Sequence, residues 1–202
     1  PPLGMNNIRN DTGVYEGGEI SMFYDPMISK LCAYADTRLD ACNLMQAALN
    51  NFEISGIQNN LNLLASIIKN KRFLDGDINT GFIDEEYPNG FSSEVKGKED
   101  SLLFSLVATF AYIRNDNNNN INLKLNERSL IASVNNNIFQ FKAYNTIKNT
   151  IIEYDGRVIS LESEWNPGDR SIKIKIDEDN VTLQIQSGAK GYKVNGFGLS
   201  GI

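Results

Sequence analysis

The sequence predicts an α+β chain in two parts: an antiparallel sheet with helices packed on it, then an antiparallel β-barrel wrapped around one long apolar helix. Three observations carry this. Apolar residues recur at helical spacing from Ala41 to Phe52 and again from Leu61 to Ile68. The run Leu102 to Ile113 is apolar in nearly every direction around a helix, interrupted only by Ser105 and Thr109, so it requires cover on all sides. After Asn126 the period changes to two, as half-buried antiparallel strands demand.

The first part reads in order as strand, helix, strand, helix. Met27 to Tyr34 places Ile28, Cys32 and Tyr34 on one strand face and Ser29, Leu31 and Ala33 on the other, a strand covered on at least part of both faces. Thr37 with Asp40 three residues later marks a helix start, and Ala41, Cys42, Met45, Ala48, Leu49 and Phe52 form one apolar face. Phe52 to Ile57 reads as a short strand. Asn60 is expected to cap a second helix bearing Leu61, Leu64, Ala65 and Ile68, which Asn70-Lys71 stops. Ser92 to Lys98 is polar and lacks periodicity, so the expected domains are residues 1–91 and 92–202.

In the second part Phe139 and Phe141 alternate with Gln140 and Lys142, Ile172, Ile174 and Ile176 with Lys173 and Lys175, and Val181, Leu183 and Ile185 with Thr182, Gln184 and Gln186. Asp155-Gly156 between two apolar runs is a two-residue hairpin signal, and Pro167-Gly168-Asp169 and Glu178-Asp179-Asn180 supply further turns. About seven strands are expected, with an eighth beginning near Leu199 to Ile202. A two-layer sandwich has no place for a helix that is apolar all round, whereas a barrel does. Trp165, the one tryptophan, is assigned to the barrel core or rim.

Composition excludes several functions. The 202 residues carry 25 acidic and 19 basic side chains and a net charge of -6, with a pI near 4.8. Dispersed cations among excess carboxylates do not make a nucleic-acid surface. There is no histidine, which removes Ser-His and Cys-His catalysis and the commonest metal ligand. Cys32 and Cys42 have no further ligand at zinc spacing and read as buried free thiols in a reducing compartment. The longest apolar run, about a dozen residues, falls short of the roughly 20 that span a bilayer. No secretory signal is visible, so a cytoplasmic location is the default.

Three blocks together carry a resemblance: Tyr24-Asp25-Pro26-Met27-Ile28-Ser29-Lys30-Leu31, Phe52-Glu53-Ile54-Ser55-Gly56-Ile57-Gln58-Asn59-Asn60, and Asn79-Thr80-Gly81-Phe82-Ile83-Asp84-Glu85-Glu86-Tyr87-Pro88. In this order and spacing they resemble the C-terminal part of the biotin carboxylase domain of acyl-CoA carboxylases. The tail Glu85-Glu86-Tyr87-Pro88-Asn89-Gly90-Phe91 is similar to the α subunits of propionyl-CoA carboxylases in particular. Those subunits continue into a barrel that surrounds a helix and docks on the carboxyltransferase β subunit, and Ser163-Glu164-Trp165-Asn166-Pro167-Gly168-Asp169 resembles an element of it. The chain starts at Pro1 and contains neither a Gly-rich phosphate loop nor a Met-Lys-Met biotinylation site, so it reads as an internal piece of a longer enzyme.

The resemblance implies an activity and a set of residues. The family uses ATP, with Mg2+ or Mn2+, to activate bicarbonate as a carboxyphosphate and then carboxylates biotin. An arginine ahead of the Tyr-Asp-Pro-Met run stabilises the biotin enolate, and the matching residue is Arg9. A permanently cationic, planar donor suits an oxygen that becomes negative. A surface arginine near a terminus is the alternative. Thr80 and Gly81 match a segment that closes the adenine pocket, with a plain structural turn as the alternative. Lys30 is expected to pair with a carboxylate. Ser55 stands where relatives often carry an acid.

Asn115 to Arg128 joins the helix to the first barrel strand, and in the family it resembles, this connection is a hook that contacts the carboxyltransferase β subunit. A mobile polar loop is the alternative, but the alternation of Ile121, Leu123 and Leu125 suits burial against a partner. The implied partners are that β subunit and the biotin carrier domain of the same polypeptide, and the 202-residue chain alone is expected to be inactive. A non-catalytic binding module, whose barrel recruits a partner, is the second reading.

Overall fold

The computed structural model describes residues 5–202 apart from 16, 21–22, 24, 26, 55–56, 120–126 and 146–148, with the backbone alone at 117–119. Two compact units make up the chain, Pro1–Pro88 and Asn89–Ile202.

The first unit holds one antiparallel pair, β1 (Ile8–Thr12) and β2 (Ser29–Ala33), with Ile8 opposite Ala33 and Thr12 opposite Ser29. Four helices follow: α1 (Arg38–Asn51), α2 (Leu61–Lys69), α3 (Lys71–Asp75) and α4 (Phe82–Glu86). Thr37 caps α1 as its sequence requires, accepting from the Asp40 amide at 3.1 Å while its hydroxyl donates to the Asp40 carboxylate at 2.6 Å. Cys42, Ala48, Leu49 and Phe52 form the buried face.

Four expectations need correction here. Strand β2 is covered on one side only: Ser29, Leu31 and Ala33 are half-buried, whereas Lys30, Cys32 and Tyr34 are exposed, so Cys32 is not a buried thiol. Lys30 makes no ion pair among the described residues: Asp11 stands opposite it across the sheet but pairs with Arg9. Phe52–Ile54 is not a strand, since the described sheet has two members and the Phe52 amide turns back to the Leu49 carbonyl at 3.1 Å. Asn60 gives α2 no side-chain cap; Asn59 instead accepts from the Leu61 amide at 3.2 Å. Strand β1, which has no apolar alternation, was not expected at all.

In the second unit α5 (Lys98–Asn119) starts with Glu99 and Asp100, acidic groups that suit a helix N-terminus. Eight strands follow in an unbroken meander: β3 (Arg128–Val134), β4 (Asn137–Asn145), β5 (Thr150–Tyr154), β6 (Arg157–Glu162), β7 (Ser171–Ile176), β8 (Asp179–Gly188), β9 (Gly191–Gly196) and β10 (Leu199–Gly201). Every neighbouring pair is antiparallel, and the sheet curls into a nearly closed barrel. At the gap a side-chain carbon on Gly201 would lie 3.0 Å from Val134, and Ser200 exchanges backbone bonds with Ser93 and Val95.

The core is continuous. Phe104, Val107, Phe110, Ala111 and Ile113 of α5 share one buried cluster with inward residues of β3 to β9, including Phe139, Phe141, Ile152, Leu161, Ile172, Leu183 and Val194. The alternation read from the sequence is thus the inside and outside of the barrel. Tyr112 is the exception on the apolar helix, 48% exposed. Trp165 lies in the same core and donates through Nε1 to the Asp169 carbonyl at 2.9 Å.

The Asp155-Gly156 hairpin has both central residues at positive φ, 51° and 74°, the conformation that two-residue β-hairpins favour. One turn lies a residue earlier than expected. It is Asp177-Glu178, with Asp177 at φ 53°, because Ile176 pairs with Asp179 and starts β8 there.

Candidate functional site

Arg9 sits on the exposed face of β1, directly opposite Cys32 of β2. Its Nε lies 3.2 Å from Asp11 Oδ1, two residues along the same strand face, and Nη2 contacts Cys32 Sγ at 3.8 Å. The side chain remains 73% exposed. One edge of the guanidinium is therefore held by a carboxylate while the rest faces outward, an arrangement that can donate to an incoming anion. Asp11 and Cys32, which orient it, were not singled out from the sequence; only strand pairing across a separation of 23 residues brings Cys32 there.

Thr80 and Gly81 lie in the turn that opens α4. The Asn79 side chain accepts from the Gly81 amide at 2.8 Å, and the Gly81 carbonyl accepts from the Glu85 amide at 2.9 Å. Among the described residues no hydrogen bond or ion pair links Arg9 to Thr80 or Gly81. The turn is anchored by a group the sequence did not reveal. Arg72 meets Glu85 at 2.8 Å, Glu86 at 2.9 Å and Asp77 at 3.2 Å, and its guanidinium lies 5.4 Å from the centre of the Phe82 ring. Glu86 and then Glu85 hold Arg72 still more firmly protonated, and Arg72, helped by Asn70, lowers the Glu86 carboxyl below its usual range.

An apolar cavity of about 950 Å³ opens between β2, α1 and α2, with Leu31, Met45, Leu49 and Ile67 among its walls. Neither Arg9 nor the Thr80–Gly81 turn lines it.

Helix α5 runs on to Asn119, five residues into the stretch read as a loop from Asn115. The ends of the connection meet: Arg128 Nη1 donates to Asp116 Oδ2 at 2.7 Å. Ile121, Leu123 and Leu125 lie outside the described residues, as does Ser55.

The donors present fit the cofactors unequally. Arg9 fits a donor to an anionic oxygen. The Gly81 amide is already engaged by Asn79 and is not free to donate. Among the described residues no group of three or more carboxylates and thiols is placed to hold a metal ion, so no step through Mg2+ or Mn2+ follows from these side chains. No described helix is long and apolar enough to cross a membrane.

Comparison with known proteins identifies both units. A model described as the biotin carboxylase C-terminal domain matches residues 1–85, and one described as the propionyl-coenzyme A carboxylase BT domain matches residues 111–200. The chain is 34% identical over 201 residues to the propionyl-CoA carboxylase alpha chain of Ruegeria pomeroyi, covering 96% of this chain and 30% of that protein. It is 31% identical over 186 residues to the human mitochondrial propionyl-CoA carboxylase alpha chain, covering 82% and 24%. To the Caenorhabditis elegans counterpart it is 41% identical over 108 residues, covering 53% and 15%. The chain thus spans less than a third of the length of these relatives. With the two models in tandem on an antiparallel α+β unit and a nearly closed barrel, the chain belongs to the propionyl-CoA carboxylase alpha-chain family.

Proposed function

We propose that this chain serves an ATP-dependent, biotin-dependent acyl-CoA carboxylase of the propionyl-CoA type. In this reading its first unit contributes to the carboxylation of biotin by bicarbonate, and its second docks on a carboxyltransferase β subunit. The tandem match of a biotin carboxylase module and a BT module along one chain is the observation that carries it. Biotin supplies the nucleophilic ureido nitrogen when bound, and ATP the activation of bicarbonate. Arg9 supplies a planar, permanently charged donor to an oxygen that becomes negative, with Asp11 holding its Nε edge. Thr80 and Gly81 shape the adenine side. The β subunit and the biotin carrier domain of the same polypeptide are the proposed partners, and the cytoplasm the proposed compartment. By itself the 202-residue chain is expected to show no bicarbonate-dependent ATP hydrolysis and no biotinylation.

The test is Arg9→Lys in the complete α chain. Turnover in biotin carboxylation is expected to fall 10²–10³-fold, about 2.7–4 kcal/mol, with little change in the KM for ATP. Unchanged turnover would return Arg9 to the role of a surface residue.

A further inference from the structure

The turn that carries Thr80 and Gly81 has little burial to hold it. Residues 75–80 are all exposed, and the chain regains a buried side chain only at Phe82, the first residue of α4. The path of the turn is therefore fixed from its two flanks, and one side chain reaches both. Arg72 Nε donates to Asp77 Oδ2 at 3.2 Å ahead of the turn, while Nη1 donates to Glu85 Oε2 at 2.8 Å and to Glu86 Oε1 at 2.9 Å behind it. Three carboxylates around one group call for the planar fork of donors that a guanidinium has and an ammonium lacks.

Arg72 is itself fixed. Asn70 Oδ1 accepts from the Arg72 amide at 2.8 Å, and Asn70 Nδ2 donates to Glu86 Oε2 at 2.7 Å, so one side chain braces both members of the Arg72–Glu86 pair. The Phe82 ring under the Arg72 guanidinium meets the Phe73 ring edge-on, with 6.4 Å between centroids. Arg38 of α1 lies over the other aromatic ring, 5.0 Å from the centre of Phe73, and donates to the Phe73 carbonyl at 2.6 and 3.1 Å. The stack Arg38, Phe73, Phe82, Arg72 thus joins α1, α3 and α4 around the turn. Asn79 carries the connection into it: its Oδ1 accepts from the Gly81 amide at 2.8 Å, and its Nδ2 donates to Glu85 Oε1 at 3.5 Å. Glu85 is shared between Arg72 and Asn79.

We infer that Arg72 is a positioning residue for the nucleotide, acting on the adenine base through the path of residues 78–81. The inference rests on the proposed reading of Thr80 and Gly81 as the adenine side. An exposed turn released from its clamp has to be ordered when the base binds, and that ordering cost weakens binding. The adenine is remote from the bonds that change, so the loss falls equally on ground state and transition state. It then appears in the KM for ATP and not in the turnover number.

Steady-state kinetics of biotin carboxylation by the complete α chain test it. Arg72→Met is expected to raise the KM for ATP at least tenfold, with the KM for bicarbonate and the turnover at saturating ATP each within twofold of the parent. Arg72→Lys, which keeps the charge without the fork, is expected to fall between the two. Gly81→Val tests the reading beneath: a side-chain carbon there would lie 3.1 Å from Glu85 Oε1 and 3.4 Å from Asn79 Oδ1, so it displaces the turn directly. A KM for ATP raised by Gly81→Val but not by Arg72→Met would overturn the role of Arg72 and leave the adenine side standing. A KM moved by neither would remove the adenine side and the inference with it, and a rise with Arg72→Met alone would place its effect outside the turn and overturn the inference too. Turnover and both KM values worsening together would make Arg72 a structural clamp only. Should Arg72→Met fail to fold, Glu85→Ala decides in its place, because it removes one half-exposed arm of the clamp. It is expected to raise the KM for ATP about threefold, and an unchanged value would overturn the inference.

Discussion

Arg128 donates through Nη1 to Asp116 Oδ2 at 2.7 Å, tying the last turns of α5 to the first residue of β3. Both side chains are largely covered, at 15% and 28% exposure, so the pair is better shielded than an ordinary surface ion pair. It closes the ends of the connection proposed to meet the β subunit. Asp116→Ala is expected to destabilise the barrel unit by about 1.5–3 kcal/mol, because a charge-assisted bond is lost and Arg128 is left partly buried. Urea unfolding followed by the fluorescence of Trp165 measures this. If the pair is what matters, Asp116→Ala combined with Arg128→Met loses less than the sum of the two single changes.

Glu86 gives the first unit a pH dependence with a definite sign. Its carboxyl is held below the usual range, first by Arg72 and then by Asn70. A group whose folded pKa is depressed stabilises fully above its unfolded value, near pH 4.3, and loses that contribution as pH falls through the folded value. The melting transition of the first unit should therefore fall on acidification below about pH 4, and Glu86→Gln should flatten that dependence. Circular dichroism melts between pH 3 and 6 check it. Trp165 belongs to the other unit, so a transition silent in tryptophan fluorescence belongs to the first.

How far the sequence could be read depended on the range of the interactions involved. The barrel was legible because a period of two in Phe139/Phe141 or Ile172/Ile174 records burial on one face directly, and Asp155-Gly156 records its own turn. The Thr37 cap was legible because both partners lie within four residues. Strand β1 was not, since Arg9, Asn10 and Asp11 carry no apolar alternation and are held extended only by β2. Arg72 was equally hidden, for its partners Glu85 and Glu86 lie 13 and 14 residues away, and no local pattern joins them. Arg9 itself entered through resemblance; its exposed place on the strand and its pairing with Asp11 are structural findings.

Gly196 tests the packing of the barrel. A methyl group there would collide with Cδ2 of Leu183, a fully buried side chain of the barrel core. Gly196→Ala should therefore overpack the core and destabilise the barrel unit by about 1–3 kcal/mol. Making room with Leu183→Val in the same chain should recover part of that loss. Denaturant midpoints for the two single variants and the double variant decide it, and simple additivity would show that Gly196 is required for some reason other than space.

The last prediction concerns Ile121, Leu123 and Leu125, which lie outside the described residues and whose role rests on their alternation in a polar stretch. The Asp116–Arg128 pair holds the ends of this stretch together, so the connection can be changed without parting α5 from β3. Replacing all three by Ser is expected to leave the melting temperature of this chain nearly unchanged, because their alternation in a polar stretch is read as a face for a partner and not as part of the barrel core. Binding to a purified carboxyltransferase β subunit is expected to weaken at least tenfold, about 1.4 kcal/mol. Calorimetric titration beside a thermal melt measures both quantities. Undiminished affinity would move docking to another surface, and a large loss of stability would mean that the three residues pack against the barrel itself.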